Sequence, residues 1–129
     1  MSKPKENYTV LLAEDELFLS RTFENRLTLE GYTVLLAHDG EDAIQMILKE
    51  KPDLILLDLI MPKKNGFEVL EVIKQDELVQ HIPVIITSNL GQDSDIEKAM
   101  KLGAIDYIIK SNISLKDLAV KVKEHLPLK

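Results

Sequence analysis

Five short apolar segments, each followed by a stretch with helical spacing, constrain what this chain can fold into more than any other feature. The segments are Tyr8 to Ala13, Tyr32 to Ala37, Asp53 to Leu57, Pro83 to Thr87 and Ile105 to Ile109. Valine, leucine and isoleucine fill the middle ones almost without a break, which predicts strands buried on both faces. Leu17, Leu19, Phe23, Leu27 and Leu29 give an apolar face to a helix over about Glu16 to Glu30, and Gly31 is placed to stop it. Asp39-Gly40 opens a second helix carrying Ala43, Ile44, Ile47 and Leu48, and a third, from about Gly66 to Gln75, carries Phe67, Val69, Leu70 and Ile73. A fourth runs from about Ser94 to Leu102 before Gly103, and the last covers about Ser114 to Leu126.

Strict strand–helix alternation with short connections requires right-handed crossovers, so the strands lie parallel and helices cover both faces. The expected architecture is α/β, a doubly wound (βα)5 flavodoxin-like domain with a five-stranded parallel sheet in the order 2-1-3-4-5. No internal repeat is expected beyond this rhythm. The 129 residues fit one such domain, drawn here over 8–126 with tails at 1–7 and 127–129. Sixteen basic against twenty-two acidic side chains leave a net charge of −6, which argues against direct binding to nucleic acid or to an anionic membrane. Lys116, Lys121 and Lys123 do lie close together, but Asp117 and Glu124 are interleaved with them as on a solvated helix face. Without cysteine there is no disulfide and no thiolate nucleophile or metal ligand. A polar start and the lack of a membrane-length apolar window make the cytoplasm the expected location.

Within this frame Asp58 stands out, a carboxylate at the end of the run Leu54-Ile55-Leu56-Leu57. A charge inside a strand buried on both faces is costly, whereas the carboxyl end of such a strand opens on the ligand crevice of an α/β sheet. Placing every carboxyl end at that rim gathers Glu14 and Asp15, Asp58, Thr87-Ser88 and Lys110. Three crowded carboxylates repel one another, and a hard divalent cation such as Mg2+ relieves this with oxygen ligands while leaving room for a phosphate. A serine hydroxyl and the Lys110 ammonium would then face the phosphoryl oxygens, pointing to phosphoryl transfer onto Asp58 as a carboxylate nucleophile.

At this point the chain resembles the receiver domain of bacterial two-component response regulators, from about Tyr8 to Leu126. The likeness rests on Ala13-Glu14-Asp15-Glu16, Asp58-Leu59-Ile60-Met61-Pro62 with Gly66, Ile82-Pro83-Val84, Leu102-Gly103-Ala104 and Tyr107-Ile108-Ile109-Lys110. It implies that Asp58 is the phosphoacceptor and that Glu14, Asp15, Asp58 and the backbone carbonyl of Ile60 hold magnesium. It further implies that Lys110 pairs with the phosphoryl group, that Ser88 is the switch hydroxyl and that Tyr107 is the switch aromatic. Of the adjacent hydroxyls Thr87 and Ser88, counting from Pro83 and from Gly103 matches the family's position to Ser88. The implied partners are a sensor histidine kinase or phosphotransfer protein upstream and a protein target or output domain downstream. A homodimer through the face of the fourth helix, fifth strand and fifth helix belongs to the same expectation. No output domain fits in the chain, so it is expected to act either as a stand-alone regulator or as the receiver of a longer protein.

Three positions depart from the family pattern, the first being Glu14, which starts the metal pair in place of aspartate, a chemically conservative variation. Ser111 follows Lys110 where proline, often after a cis bond, is usual; a cis bond before a non-proline residue costs about 2.5–4 kcal/mol, so a trans Lys110–Ser111 bond is expected. Asn89 stands where the family usually has a smaller residue. Other constellations are poor: His38, His81 and His125 follow no metal-ligand spacing and are expected on the surface or in turns, and the five glycines form no phosphate-cradling loop. A flavin binder would want hydroxyl and backbone donors where Glu14-Asp15-Glu16 stands. An aspartyl phosphatase would want a second acid at Ile60. A docking module that ignores phosphate would have no use for the acidic set and Lys110.

Overall fold

The computed structural model describes residues 8–127, so the proposed tail at 1–7, and residues 128 and 129 of the other tail, lie outside the described residues. The strands are β1 (Thr9–Ala13), β2 (Thr33–Ala37), β3 (Leu54–Asp58), β4 (Val84–Ser88) and β5 (Asp106–Ile109). The helices are α1 (Leu17–Leu29), α2 (Gly40–Glu50), α3 (Gly66–Gln75), α4 (Asp93–Lys101) and α5 (Leu115–His125). All four strand pairings are parallel and the order is β2-β1-β3-β4-β5, the expected doubly wound arrangement.

The helix ends follow their caps. Glu16, expected inside α1, is its N-cap, and its carboxylate accepts from the amides of Phe18 and Leu19. Asn65 and Glu68 form a reciprocal capping box that fixes the start of α3. Gly31 and Gly103, both with positive φ, follow the last turns of α1 and α4. Each face of the sheet has its own core. Ile55, Leu57, Val84 and Ile86 pack with Ile47 of α2, Leu70 and Ile73 of α3 and Ala99 of α4. Val10, Leu12, Leu54, Leu56, Ile85 and Ile108 pack with Phe23 and Leu27 of α1 and Leu118 and Val122 of α5. Every residue of β3 and β4 is buried, as their apolar runs require.

Three details correct the expectations. A repeat does exist: β1 and β2 are both Thr-Val-Leu-Leu-Ala, and they pair in register from Thr9 with Thr33 to Ala37 with Ala13. Strand periodicity makes the two look alike for reasons of fold, which hides their identity. His125 and Lys121 are not merely solvated, because both donate toward Asp106 of β5, at 2.9 and 3.1 Å, and so tie α5 to the sheet's edge. A 3-10 turn, Lys110–Asn112, separates β5 from α5, in a stretch that carries no helical pattern of its own.

Candidate functional site at the carboxyl edge of the sheet

The carboxyl ends of β1, β3 and β5 bring Glu14, Asp15, Asp58 and Lys110 together. Asp58 and Ser88 are the last residues of β3 and β4, so each strand runs one residue further than the hydrophobic pattern suggests. One carboxylate oxygen from each of Glu14, Asp15 and Asp58 lies within 4.8 Å of the other two. Glu14 and Asp58 are buried, Asp15 is exposed, and the opening of the site is on the Asp15 side.

Charge at this edge is held by lysine. The Lys110 ammonium donates to Glu14 Oε1 at 2.5 Å and to Asp58 Oδ2 at 2.9 Å, with its side chain 9% exposed. Burial raises the Glu14 carboxyl above its ordinary range, the Lys110 hydrogen bond and the Glu16 amide opposing that rise without cancelling it. For Lys110 burial acts to lower the ammonium, but the hydrogen bonds and charges of the two carboxylates outweigh it and the net shift is upward. The remaining oxygens are also occupied: Asp58 Oδ1 accepts from the Ile60 amide at 3.2 Å and Glu14 Oε2 from the Glu16 amide at 3.1 Å. The three oxygen donors, with no nitrogen or sulfur ligand among them, suit a hard divalent cation. Ile60, two residues beyond Asp58, is 60% exposed.

The loop between Asp58 and α3 is fixed by close backbone packing. The Gly66 amide donates to the Leu59 carbonyl at 2.9 Å, and a Cβ at Gly66 would stand 2.5 Å from the Asp58 carbonyl oxygen. Gly40 is equally confined: its amide donates to the Pro62 carbonyl and a Cβ would fall 1.9 Å from the Lys64 carbonyl oxygen. Neither contact leaves a local sequence signal beyond the glycine itself.

Ser88 is fully buried, and its hydroxyl oxygen accepts from the Leu90 amide at 3.2 Å. Tyr107 donates its hydroxyl to the Leu90 carbonyl, pinning β5 to the loop after β4. The Ser111 amide donates to Asn89 Oδ1 at 3.0 Å. Two of the departures from the family pattern thus meet: the amide that a proline at 111 would lack is satisfied by the larger side chain at 89. The described residues contain no cis peptide bond, so Lys110–Ser111 is trans. Thr87, not Ser88, is in register with Asp58, and its buried hydroxyl has no hydrogen-bond partner among the described residues. His38 approaches the Glu14 carbonyl oxygen through Nδ1 at 3.2 Å, a contact its surface assignment does not anticipate.

A family model described as "Response regulator receiver domain" matches residues 10–123. Among curated relatives, the probable transcriptional regulator ycf27 of Guillardia theta is 36% identical over 114 residues, 88% of this chain and 43% of that protein. Its namesake from Galdieria sulphuraria is 36% identical over 123 residues, 95% of this chain and 47% of that protein. The chain therefore spans less than half the length of these relatives. Among solved structures, the Francisella response regulator 1452 receiver domain superposes with a TM-score of 0.85 at 27% identity, covering 92% of this chain and 95% of that one. The non-phosphorylated HemR receiver domain from Leptospira biflexa gives 0.85 at 27% identity, covering 95% and 97%.

Proposed function

The chain belongs to the response regulator receiver domain family, and from that membership we propose that it takes a phosphoryl group from a histidine kinase or phosphotransfer protein onto Asp58. The observation that carries this reading is the meeting of Glu14, Asp15 and Asp58 within 4.8 Å, two of them bridged by Lys110. An Asp58 carboxylate oxygen forms the new O–P bond as the donor's P–N bond breaks, and that electron pair returns to the donor imidazole. Magnesium held by Glu14, Asp15, Asp58 and the Ile60 carbonyl would neutralise the carboxylates and the transferring phosphoryl oxygens. Lys110 exchanges one carboxylate for a phosphoryl oxygen and stays on the same spot. Ser88 supplies its hydroxyl, which the Leu90 amide and the Tyr107 hydroxyl both meet, and Tyr107 reports the change through its hold on Leu90.

The receiver domain is taken to run over 8–126, and its output to be a surface of α4, β5 and α5 that meets a downstream protein, an output domain or a second copy. Among the described residues no helix is long and apolar enough to cross a membrane. Incubation with acetyl phosphate and magnesium is expected to add one phosphoryl group by intact mass, and none to Asp58→Asn. Uptake by Asp58→Asn at the wild-type rate would move the acceptor elsewhere.

A further inference from the structure

Lys110 reaches its carboxylates by crossing β4. It follows β5, Asp58 ends β3, and the sheet order puts β4 between them. Neighbouring strands are about 4.8 Å apart, so the lysine and aspartate side chains together bridge two such spacings. The residue of β4 beneath that span is Thr87, in register with Asp58 on one side and with Ile108, two residues before Lys110, on the other. All of these share one face. Leu56, Ile85 and Ile108 belong to the core under α1 and α5, and Asp58, Thr87 and Lys110 are each two positions further along the same strand path.

A buried acceptor here lacks a partner, and the ammonium of Lys110 has a donor to spare. Thr87 is fully buried and its hydroxyl oxygen is unpaired among the described residues. An ammonium carries three donors, whereas among the described residues only Glu14 and Asp58 accept from Lys110. A valine would fill the space under the lysine without leaving a buried polar atom unsatisfied, so a threonine that served packing alone would be a net burden on stability. Resting on the phosphoacceptor reading above, we propose that Thr87 is a positioning residue whose hydroxyl oxygen accepts the third N–H of Lys110. That bond holds the ammonium beside Asp58 while the carboxylates turn to an ion and a phosphoryl group.

The test is a double-mutant cycle of Thr87→Val and Lys110→Met, read by urea unfolding and by uptake of phosphate from acetyl phosphate. The two substitutions are expected to be non-additive in both. Thr87→Val is expected to slow phosphorylation about tenfold, the loss that goes with one charge-assisted hydrogen bond, while Thr87→Ser, which keeps the hydroxyl, retains most of the rate. Additive unfolding, or a Thr87→Val protein as fast as wild type, overturns the proposal whichever of the two occurs. Failure of Thr87→Ser to keep the rate overturns it as well. If the wild type takes up no phosphate at all, the phosphoacceptor reading fails instead, and the unfolding cycle still decides whether Thr87 and Lys110 interact.

Discussion

Gly66→Ala perturbs the phosphoacceptor loop without touching an ionisable group. Gly66 opens α3, where alanine would ordinarily be the better residue by up to about 1 kcal/mol. Here the added Cβ would lie 2.5 Å from the Asp58 carbonyl oxygen and 2.8 Å from Leu59 Cα, both backbone atoms that cannot rotate away. Relief to 3.0 Å needs a shift of at least half an ångström in either α3 or the strand end. The capping box of Asn65 and Glu68 resists the first, and the fully buried β3 resists the second. Overpacking of this kind costs about 1–3 kcal/mol, which exceeds the helical gain and leaves a net loss of roughly 1–2 kcal/mol. The displacement also reaches the Ile60 amide that hydrogen-bonds Asp58 Oδ1, and phosphorylation is expected to slow about tenfold, misplacements near 1 Å being worth up to a hundredfold. Gly91→Ala is the control, because its nearest atom is the Ile109 side chain at an ordinary 3.4 Å. Urea unfolding and acetyl phosphate uptake followed by intact mass give both quantities. A Gly66→Ala protein as stable and as fast as Gly91→Ala would refute the steric reasoning.

Lys110→Met leaves two buried carboxylates within 4.8 Å of each other, a repulsion of about 3 kcal/mol at an effective dielectric of 20. Magnesium should therefore raise its melting temperature more than that of the wild type, and equal shifts would show that lysine does not neutralise the site. Asp106 is drawn toward a higher pKa by burial, but hydrogen bonds from His125, Lys121 and the Tyr107 amide prevail and hold it below the usual range. A depressed carboxyl contributes stability above its unfolded pKa and loses it as pH falls through the folded one. Asp106→Asn is thus expected to be less stable near neutrality, by under about 1 kcal/mol for so solvated a cluster, with the gap closing in acid; a gap independent of pH in unfolding curves would count against this. The side chains of Ile60, which is 60% exposed, and of Leu90, packed partly against the core, offer no hydrogen bond to an attacking water. Ile60→Asn with Leu90→Glu should speed loss of phosphate roughly tenfold, about 1.4 kcal/mol off the barrier, and an unchanged decay after donor removal would exclude apolar shielding.

The sequence alone determined the parts of this protein that depend on neighbours a few residues away. Strand and helix periods, the stops at Gly31 and Gly103 and the stranded carboxylate of Asp58 are local signals, and they were enough for the βα rhythm and for α3 to its terminal residues. Where helix ends were misjudged, as at Glu16, the cap residue had been counted into the helix. Motif order also named the acidic residues, Lys110, Ser88 and Tyr107. What tertiary structure decided is who meets whom across the sheet. Lys110 finds Glu14 and Asp58 from 96 and 52 residues away, the Ser111 amide finds Asn89 from 22, and Asp106 collects Lys121 and His125 from α5. The unpaired hydroxyl of Thr87 could not be foreseen either, because motif counting selects Ser88 and only strand register puts Thr87 beside Asp58. The physical reason is the same throughout: backbone dihedrals and hydrophobic period are set at short range, while the partner of a buried polar group is chosen by strand order, and strand order is fixed by crossovers that bring distant segments side by side.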